Sequence, residues 1–523
     1  MLFSLSNVVN TSFAVVSITV LYHVCLWVYN WLLHPLSKIP GPLLWGISET
    51  PFNLSMINGT FVHDVHKIHQ KYGPVVRIAP NELSFITEQA QRDIYSRRVE
   101  DGYPMRKDPN FNSAAPNGAF PISSAPKEDH IRQRRALAHG FSEKALSEQE
   151  PLIRKHVDLL MTKLQNASSQ NNGTTVLDIG KYFNFAIFDI FGDLGFGESF
   201  NCLVEERYHK WTTLLPYFPK AGLMAKSLKG YGILSPLLML LLVPKQVISG
   251  AKDHWNLCVE KVNQRFERTT NRKDIMSYIL KNKDNKSDTF LSVPELEATG
   301  YILIFAGAET TASNLSATIS YLVRYPAKFA KLRDEIRSQF SAAEDISFRN
   351  TTATHLPYMH AVIQESMRLA PPVAGNMPRV VPEGGGTIDD QMYPGGTIVG
   401  TAVYATQRSA MNFTYPNSFI PERWLNTNHP NYTCDSSDPP FGKETFVTDQ
   451  KGAAQPFSVG PRNCIGMNLA MAEIRLVLAL FIFNFNVSSP AGTEPMVWED
   501  QKTYNNWVRT PMDIEISLAK SKS

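Results

Sequence analysis

The chain has 523 residues, 43% of them hydrophobic, enough to bury a large core in one big domain or two ordinary ones. Its 51 basic against 48 acidic residues leave a net charge of +3, too even for a nucleic-acid-binding surface. The five cysteines, Cys25, Cys202, Cys258, Cys434 and Cys464, include no C-x-x-C pair, so they imply neither a zinc cage nor a disulfide framework and fit a reducing compartment.

The N-terminus departs from a soluble pattern. From Met1 to Ser37 no side chain carries a charge, histidine protonation apart, and the run Phe13 to Leu33 is long enough to cross a bilayer. His23 and Asn30 weaken it, while Trp27, Tyr29 and Trp31 cluster at one end like an interfacial belt. Lys38 follows, which places the rest of the chain on the cytoplasmic side. A cleaved signal peptide is the rival reading, but it lacks a basic n-region here and the apolar stretch is long for one. Residues 1–34 are therefore predicted as a single-pass anchor in the endoplasmic reticulum membrane. Of the N-x-S/T matches, Asn166, Asn350 and Asn431 then lie on the cytoplasmic side and only Asn10 faces the lumen.

"HPLSKIPGP" (His34 to Pro42) opens a proline-rich joint, residues 35–45, that sets the anchor apart from a body of residues 46–523. "VVRIAPNELSFIT" (Val75 to Thr87) predicts two strands about a Pro-Asn-Glu turn. In "HIRQRR", His130 and Arg134 lie four apart on one helix face, with Arg132 and Arg135 off it; an ordinary solvated basic helix has the same pattern. "YGILSPLLMLLLVP" (Tyr231 to Pro244) is apolar but short of a bilayer span and interrupted by Pro236. It reads either as a core helix or as a lid helix dipping into the membrane surface.

Ser292 and Glu295 form a capping box at the start of the longest internal helix, which Pro326 ends after Tyr325. Its middle, Tyr301 to Ser313, is apolar all round until Glu309, as suits a helix at the centre of a large protein. Gly307 costs such a helix about 1 kcal/mol relative to alanine, which suits a functional bend or the close approach of a cofactor. Thr310 either bonds back to its own helix or forms an acid–alcohol proton relay with Glu309. Further on, Glu365 and Arg368 share a helical face among Val362, Ile363, Met367 and Leu369, whose apolarity argues for burial over an exposed ion pair. Strand signals return near Thr397 to Val403 and Met512 to Leu518.

"FSVGPRNCIG" (Phe457 to Gly466) then sets a lone cysteine before an apolar helical run. Cys464 is a buried structural thiol, a nucleophile whose pKa a helix N-terminus lowers, or the ligand of a metal carried by a cofactor. A structural thiol needs neither Gly460, Gly466 nor Arg462. The stretch matches F-x-x-G-x-R-x-C-x-G at every defined position and resembles the cysteine-ligand loop of the cytochrome P-450 superfamily. On that resemblance Cys464 is the axial thiolate of the iron of haem b. Phe457 belongs to the same motif, Gly460 makes a tight turn, Gly466 lets the backbone approach the flat macrocycle, and Arg462 pairs with a propionate.

Other segments resemble the family in its own order. Glu365, Arg368 and Arg423 of "PERW" match its structural Glu-Arg-Arg network, and "AGAETT" (Ala306 to Thr311) matches its distal oxygen groove, with Ala306 and Gly307 beside the cofactor and Glu309 and Thr310 catalytic. His130 stands where the family usually has tryptophan; with Arg134 it would reach the propionates, as would Arg379 of "MPRVV", leaving Arg132 and Arg135 to face a reductase. "KYGPVVRIAPNELSF" and "RRALAHGFSEKAL" are most similar to fungal secondary-metabolism members, the group that includes trichothecene C-15 hydroxylases.

The resemblance implies a mainly α fold with a small β-rich lobe, the cytochrome P-450 fold, preceded by one transmembrane helix. It implies a monooxygenase that hydroxylates or epoxidises an apolar small molecule with electrons from an NADPH–cytochrome P-450 reductase. Pocket walls are expected from the Gly102 to Pro126 loop, Tyr217 to Leu242, Phe305, Val373 to Met377 and the Tyr504 to Val508 turn. Two other readings stand beside it: a haem-thiolate isomerase or dehydratase needing no reductase, and a haem-binding protein without turnover.

Overall fold

The computed structural model describes residues 5–96, 103–229, 231–268, 272–280 and 291–519. Helix α1 spans Leu5–Leu32 and leads through the joint into α2 (Leu43–Ile47) and α3 (Thr50–Asn58). From Phe13 onward the apolar side chains described on α1, among them Ile18, Leu21 and Trp31, are exposed. Its last turn, however, is fastened to the body. Asn30 is buried and its Nδ2 donates to Ile47 O at 3.0 Å, while the Arg77 guanidinium donates to Asn30 O at 2.8 Å and to Pro80 O. Arg77 thus supplies cationic donors to the carbonyl end of a helix. The joint packs as tightly: Arg77 N donates to Pro40 O, and a Cβ on Gly41 would lie 2.4 Å from Arg77 O. The proline-rich joint is a fixed corner.

Strands β1 (Val75–Ala79) and β2 (Glu82–Phe85) form the expected hairpin, Val75 opposite Phe85. They belong to a five-stranded sheet with β3 (Arg106–Lys107), β5 (Arg379–Val380) and β6 (Ile398–Thr401), in the order β1-β2-β6-β5-β3. β6 runs parallel to β2; β5 is antiparallel to both of its neighbours. A second sheet orders β4 (Thr174–Asp178), β8 (Asp513–Leu518) and β7 (Phe485–Ser488) with β8 in the middle.

Two short hairpins pair Gly386–Ile388 with Gln391–Tyr393 and Thr503–Tyr504 with Asn506–Trp507, and most of the remaining regular structure is helical. The helices that frame the site are α4 (Lys127–Ala138), α5 (Ile179–Phe196), α6 (Tyr217–Lys229), α7 (Ser235–Leu242), α8 (Val293–Arg324), α9 (Pro357–Leu369) and α10 (Met467–Asn484). The main core lies where α5, α8 and α10 meet: Phe183, Phe188, Ala312, Leu315, Val477 and Phe481 are all enclosed there. In α8 the side chain of Glu295 accepts the Ser292 N–H at 2.9 Å, the predicted cap, and Tyr325 closes the helix before Pro326. Among the described residues one helix, α10, is long and apolar enough to cross a membrane, with a mean hydropathy of 1.6; most of it is buried, as befits its place in the core.

The Tyr231 to Pro244 segment is not a core helix. No residue of α7 is buried, and Leu240 and Leu241 are 73% and 69% exposed. Leu238 and Met239 pack against a small cluster of Met224, Leu228, Val243 and Val247, while Tyr231 reaches Thr50 at the start of α3 (3.3 Å). The exposed leucines therefore lie on the same side of the body as α3 and α2, where Leu43, Leu44 and Leu54 are also exposed.

Candidate active site

The Cys464 loop is held by its backbone. Gly460 has φ +77°, and a Cβ there would sit 2.2 Å from Tyr95 O, so only glycine fits the turn. Cys464 N donates to Phe457 O at 2.9 Å, closing the loop, and Phe457 packs on the main core. Cys464 is accessible but ringed by protein; burial pushes its thiol up, while the Gly466 N–H and the charge of Arg134 pull it down. A Cβ on Gly466 would meet nothing closer than 3.8 Å, so no neighbouring protein atom demands a glycine there. That Cβ would lie 4.0 Å from the Cys464 thiol.

Beside the thiol lies a cluster of cations. β3 and β5 pair Lys107 with Arg379, α4 brings Arg134 and the loop brings Arg462. Arg134 donates to Asn463 O and Oδ1 (2.7 and 2.5 Å), Arg379 to Met105 O (3.1 Å), Arg462 to Ala125 O (2.8 Å), and Lys107 to Ser123 O. Among the described residues no carboxylate pairs with any of the four. Nε of Arg379 and Nη1 of Arg462 are buried without a partner. Burial, and after it the charges of Arg462, Arg134, Lys107 and Arg379, hold the buried His130 imidazole down to about 3, and its Nδ1 lies 2.5 Å from Tyr103 OH. His130 is therefore neutral at ordinary pH, a hydrogen-bonding partner and not a further cation. Arg132 is 30% exposed and ion-paired to Glu295 on α8 and to Asp129, while Arg135 is the more exposed of the two.

The distal helix gives its residues unexpected partners. A Cβ on Gly307 would lie 2.0 Å from the Phe191 ring, so the glycine is explained by the close packing of α8 on α5, and α8 is unbroken there. Thr310 Oγ1 donates to Ala306 O at 2.6 Å, bonding back to its helix. Glu309 turns to Arg509, whose Nη2 is 2.6 Å away, and Asn184 approaches its other oxygen at 3.4 Å. No hydrogen bond joins Glu309 to Thr310 among the described residues.

The predicted Glu-Arg-Arg network is present and fully enclosed. Glu365 accepts two bonds from Arg368 (2.8 and 2.7 Å), one from Arg423 (3.1 Å), one from Ile420 N (2.9 Å) and one from Trp424 Nε1 (2.8 Å). Burial pushes its carboxyl up, but Arg368, Arg423 and these donors outweigh that and hold it to about 2. Asp449, which sequence reasoning missed, takes the other end of Arg423 at 2.5 Å. It lies 26 residues from Arg423 with no motif to announce it.

Four of the five expected wall segments meet at one cavity, contributing Phe111, Leu223, Gly375 and Asn505, with α3 as a further wall. Phe305 is not on it and packs against Phe218. Gly102, at the edge of the first segment, lies outside the described residues. Pro378, which borders the cavity, immediately precedes Arg379 of the cation cluster.

An accessible thiol, next to cations that among the described residues lack carboxylate partners and offer unpaired N–H donors, fits a flat metal-bearing group with two acidic side arms. That is the class of haem-thiolate proteins. Sequence comparison agrees: the cytochrome P-450 family model matches residues 40–516. The chain belongs to the cytochrome P-450 family and is an oxidoreductase; proteins of this family bind haem b through a cysteine thiolate. It is 38% identical to cytochrome P-450 monooxygenase astJ of Aspergillus oryzae, over 94% of each chain. It is 36% identical to averantin hydroxylase of Dothistroma septosporum, over 93% of this chain and 88% of that one. With trichothecene C-15 hydroxylase of Fusarium sporotrichioides it shares 38% identity over 94% and 95% of the two chains.

Proposed function

We propose that the protein is a monooxygenase that inserts one oxygen atom of O2 into a C–H or C=C bond of an apolar small molecule in fungal secondary metabolism. Haem b, ligated by Cys464, supplies the oxygen activation, with electrons from an NADPH–cytochrome P-450 reductase. The observation that carries this reading is the Cys464 thiol beside four cations that have no carboxylate partner among the described residues. Arg134, Arg379, Arg462 and Lys107 would take the acidic arms of the cofactor, and each N–H bond to a carboxylate would be charge-assisted. The Gly466 N–H stabilises the thiolate. Hydroxylation, the reaction in the names of two relatives, comes to this chain on their likeness.

On the distal side Thr310 spends its only proton on Ala306 O, so its lone pairs alone are left to the open side of the helix. It orients a donor there and does not itself deliver a proton. Glu309, held by Arg509, would have to leave that partner to carry one inward. The Glu-Arg-Arg network supports the proximal side.

Residues 1–34 are read as the anchor, with the exposed leucines of α7 as a second contact with the endoplasmic reticulum membrane. Purified protein reconstituted with reductase tests the whole reading: NADPH consumption with an oxygenated product is expected. Product without NADPH would favour the isomerase or dehydratase, and no product with any substrate a non-catalytic haem protein.

A further inference from the structure

At the corner where α1 meets the body lies a crevice of about 150 Å3, room for several waters at about 30 Å3 each and so for a phosphate group. Arg77 and Gly46 form its floor, and Trp31, Ile39, Leu43 and Ile47 its walls. Arg77 is only 4% exposed, and three of its five N–H groups are engaged: Nε and Nη2 donate to Pro80 O, and Nη1 to Asn30 O. Two N–H groups, one on each Nη, have no partner among the described residues, and no carboxylate there pairs with the guanidinium. The carbonyl end of α1 offers only about half a negative charge. A nearly enclosed cation is thus left without a full counter-charge, and such a charge is costly until something pairs with it. The chain nearby supplies no anion. No acidic residue precedes Glu49, and the exposed Lys38, next to Ile39 of the wall, adds another cation.

The rim decides which anion fits. Trp31 and Leu43 are exposed, as are Leu32, Leu33 and Leu44 around them. A cationic floor inside an apolar rim suits a guest that carries hydrocarbon next to its negative charge, whereas a free phosphate would leave the rim in water. Trp31 also stands in the last turn of α1, where an anchoring helix reaches the level of the lipid headgroups. We propose that the crevice binds one anionic phospholipid of the cytoplasmic leaflet, its phosphate on the free N–H groups of Arg77 and its glycerol and first acyl carbons along Trp31, Leu43 and Ile47. That leaflet is the one that carries anionic lipid. The proposal rests on the reading of residues 1–34 as a membrane anchor. Because one guanidinium holds Asn30 O and Pro80 O, a lipid on it ties the end of α1, the β1–β2 turn and the membrane surface at one point. The site would therefore fix how the body sits against the bilayer.

The test uses the full-length haem-loaded protein in an uncharged detergent and three probes: dioctanoyl phosphatidate, dioctanoylglycerol and inorganic phosphate. Bound probe is titrated and counted by native mass spectrometry. One phosphatidate per chain is expected, held about tenfold or more tightly than dioctanoylglycerol, as one or two hydrogen bonds from a charged donor would give. Inorganic phosphate, which gains nothing from the rim, should bind at least as weakly as dioctanoylglycerol. Gly46→Ala places a methyl 3.5 Å from Nη1 of Arg77, an ordinary contact within α2, so fold and haem content should hold while the guanidinium is covered. In that variant phosphatidate should fall to within about twofold of dioctanoylglycerol. Arg77→Gln should do the same; if loss of its bond to Asn30 O stops that variant folding, Gly46→Ala decides. Equal binding of phosphatidate and dioctanoylglycerol, phosphate bound as tightly as phosphatidate, or a phosphatidate preference that survives Gly46→Ala overturns the proposal. Alkaline carbonate extraction of membranes tests the anchor separately. A chain that washes off yet prefers phosphatidate as expected refutes the anchor and leaves the lipid site standing, whereas a chain that stays without that preference refutes the lipid site alone.

Discussion

Replacing Glu365 by glutamine keeps the shape of the side chain and removes its charge, and the consequence can be worked from the structure. Glu365 and Arg368 are 0% exposed and Arg423 is 1% exposed, so no water compensates. The amide would turn an NH2 toward guanidinium donors, and Arg368 would keep carbonyl acceptors from Gln407, Pro416 and Ser418 but no counter-charge. Breaking a buried pair in this way costs about 3–5 kcal/mol. The titration of the carboxyl gives a second figure: held at about 2 against an ordinary 4.5, it contributes about 3 kcal/mol above the ordinary value. A depressed folded-state value means that this contribution is complete above pH 4.5 and is lost as pH falls toward 2. Against a total of about 5–15 kcal/mol, Glu365→Gln should lower the urea midpoint sharply, reduce haem content on expression and flatten the acid limb of the stability profile. Asp158→Asn, which breaks the exposed pair with Arg154, should cost at most about 1 kcal/mol. If the two variants unfold at the same urea concentration, the argument from burial is wrong.

Cys464→Ser should lose the red-shifted Soret band of the reduced carbon monoxide complex, because a hydroxyl is no soft thiolate donor; an unchanged band would remove Cys464 from the iron. Thr310→Ala should lower product formed per NADPH consumed while haem content holds, and Thr310→Ser, which keeps the bond to Ala306 O, should restore it; a ratio equal to the natural protein's in the alanine variant would leave Thr310 a purely structural role. Arg509→Gln frees Glu309 from this cation and should change turnover with haem content unaltered, whereas an unchanged rate would mean that Glu309 takes no part in proton delivery. A chain beginning at Lys38 should remain with membranes after a high-salt wash and be released when Leu240 and Leu241 are also replaced by serine; release without those substitutions refutes the second membrane contact.

What could be read from the sequence was whatever lies within one element or one loop. The turn at Gly460, the cap of α8 and the β1–β2 hairpin depend on neighbours a few residues away, and their signals are written there. The Glu365–Arg368 pair was legible for the same reason, and its burial followed from the apolar residues around it. Partnerships between distant segments were not legible. Arg509 reaches Glu309 across 200 residues, and Lys107 meets Arg379 only because two short strands pair. Neither leaves a periodicity or a spacing to detect. The most instructive case is Gly307, because the sequence poses the right question and cannot choose its answer. From sequence the glycine reads as a functional bend or the close approach of a cofactor, whereas the helix is unbroken there and the ring of Phe191 takes the space a Cβ would fill. The same holds for Arg132, whose place on α4 is local but whose partner Glu295 belongs to the cap of α8. Glu295 therefore closes a helix end and also takes an arginine expected to be free for a reductase. Arg132 is thereby engaged within the fold, and of the two arginines Arg135 is the more exposed.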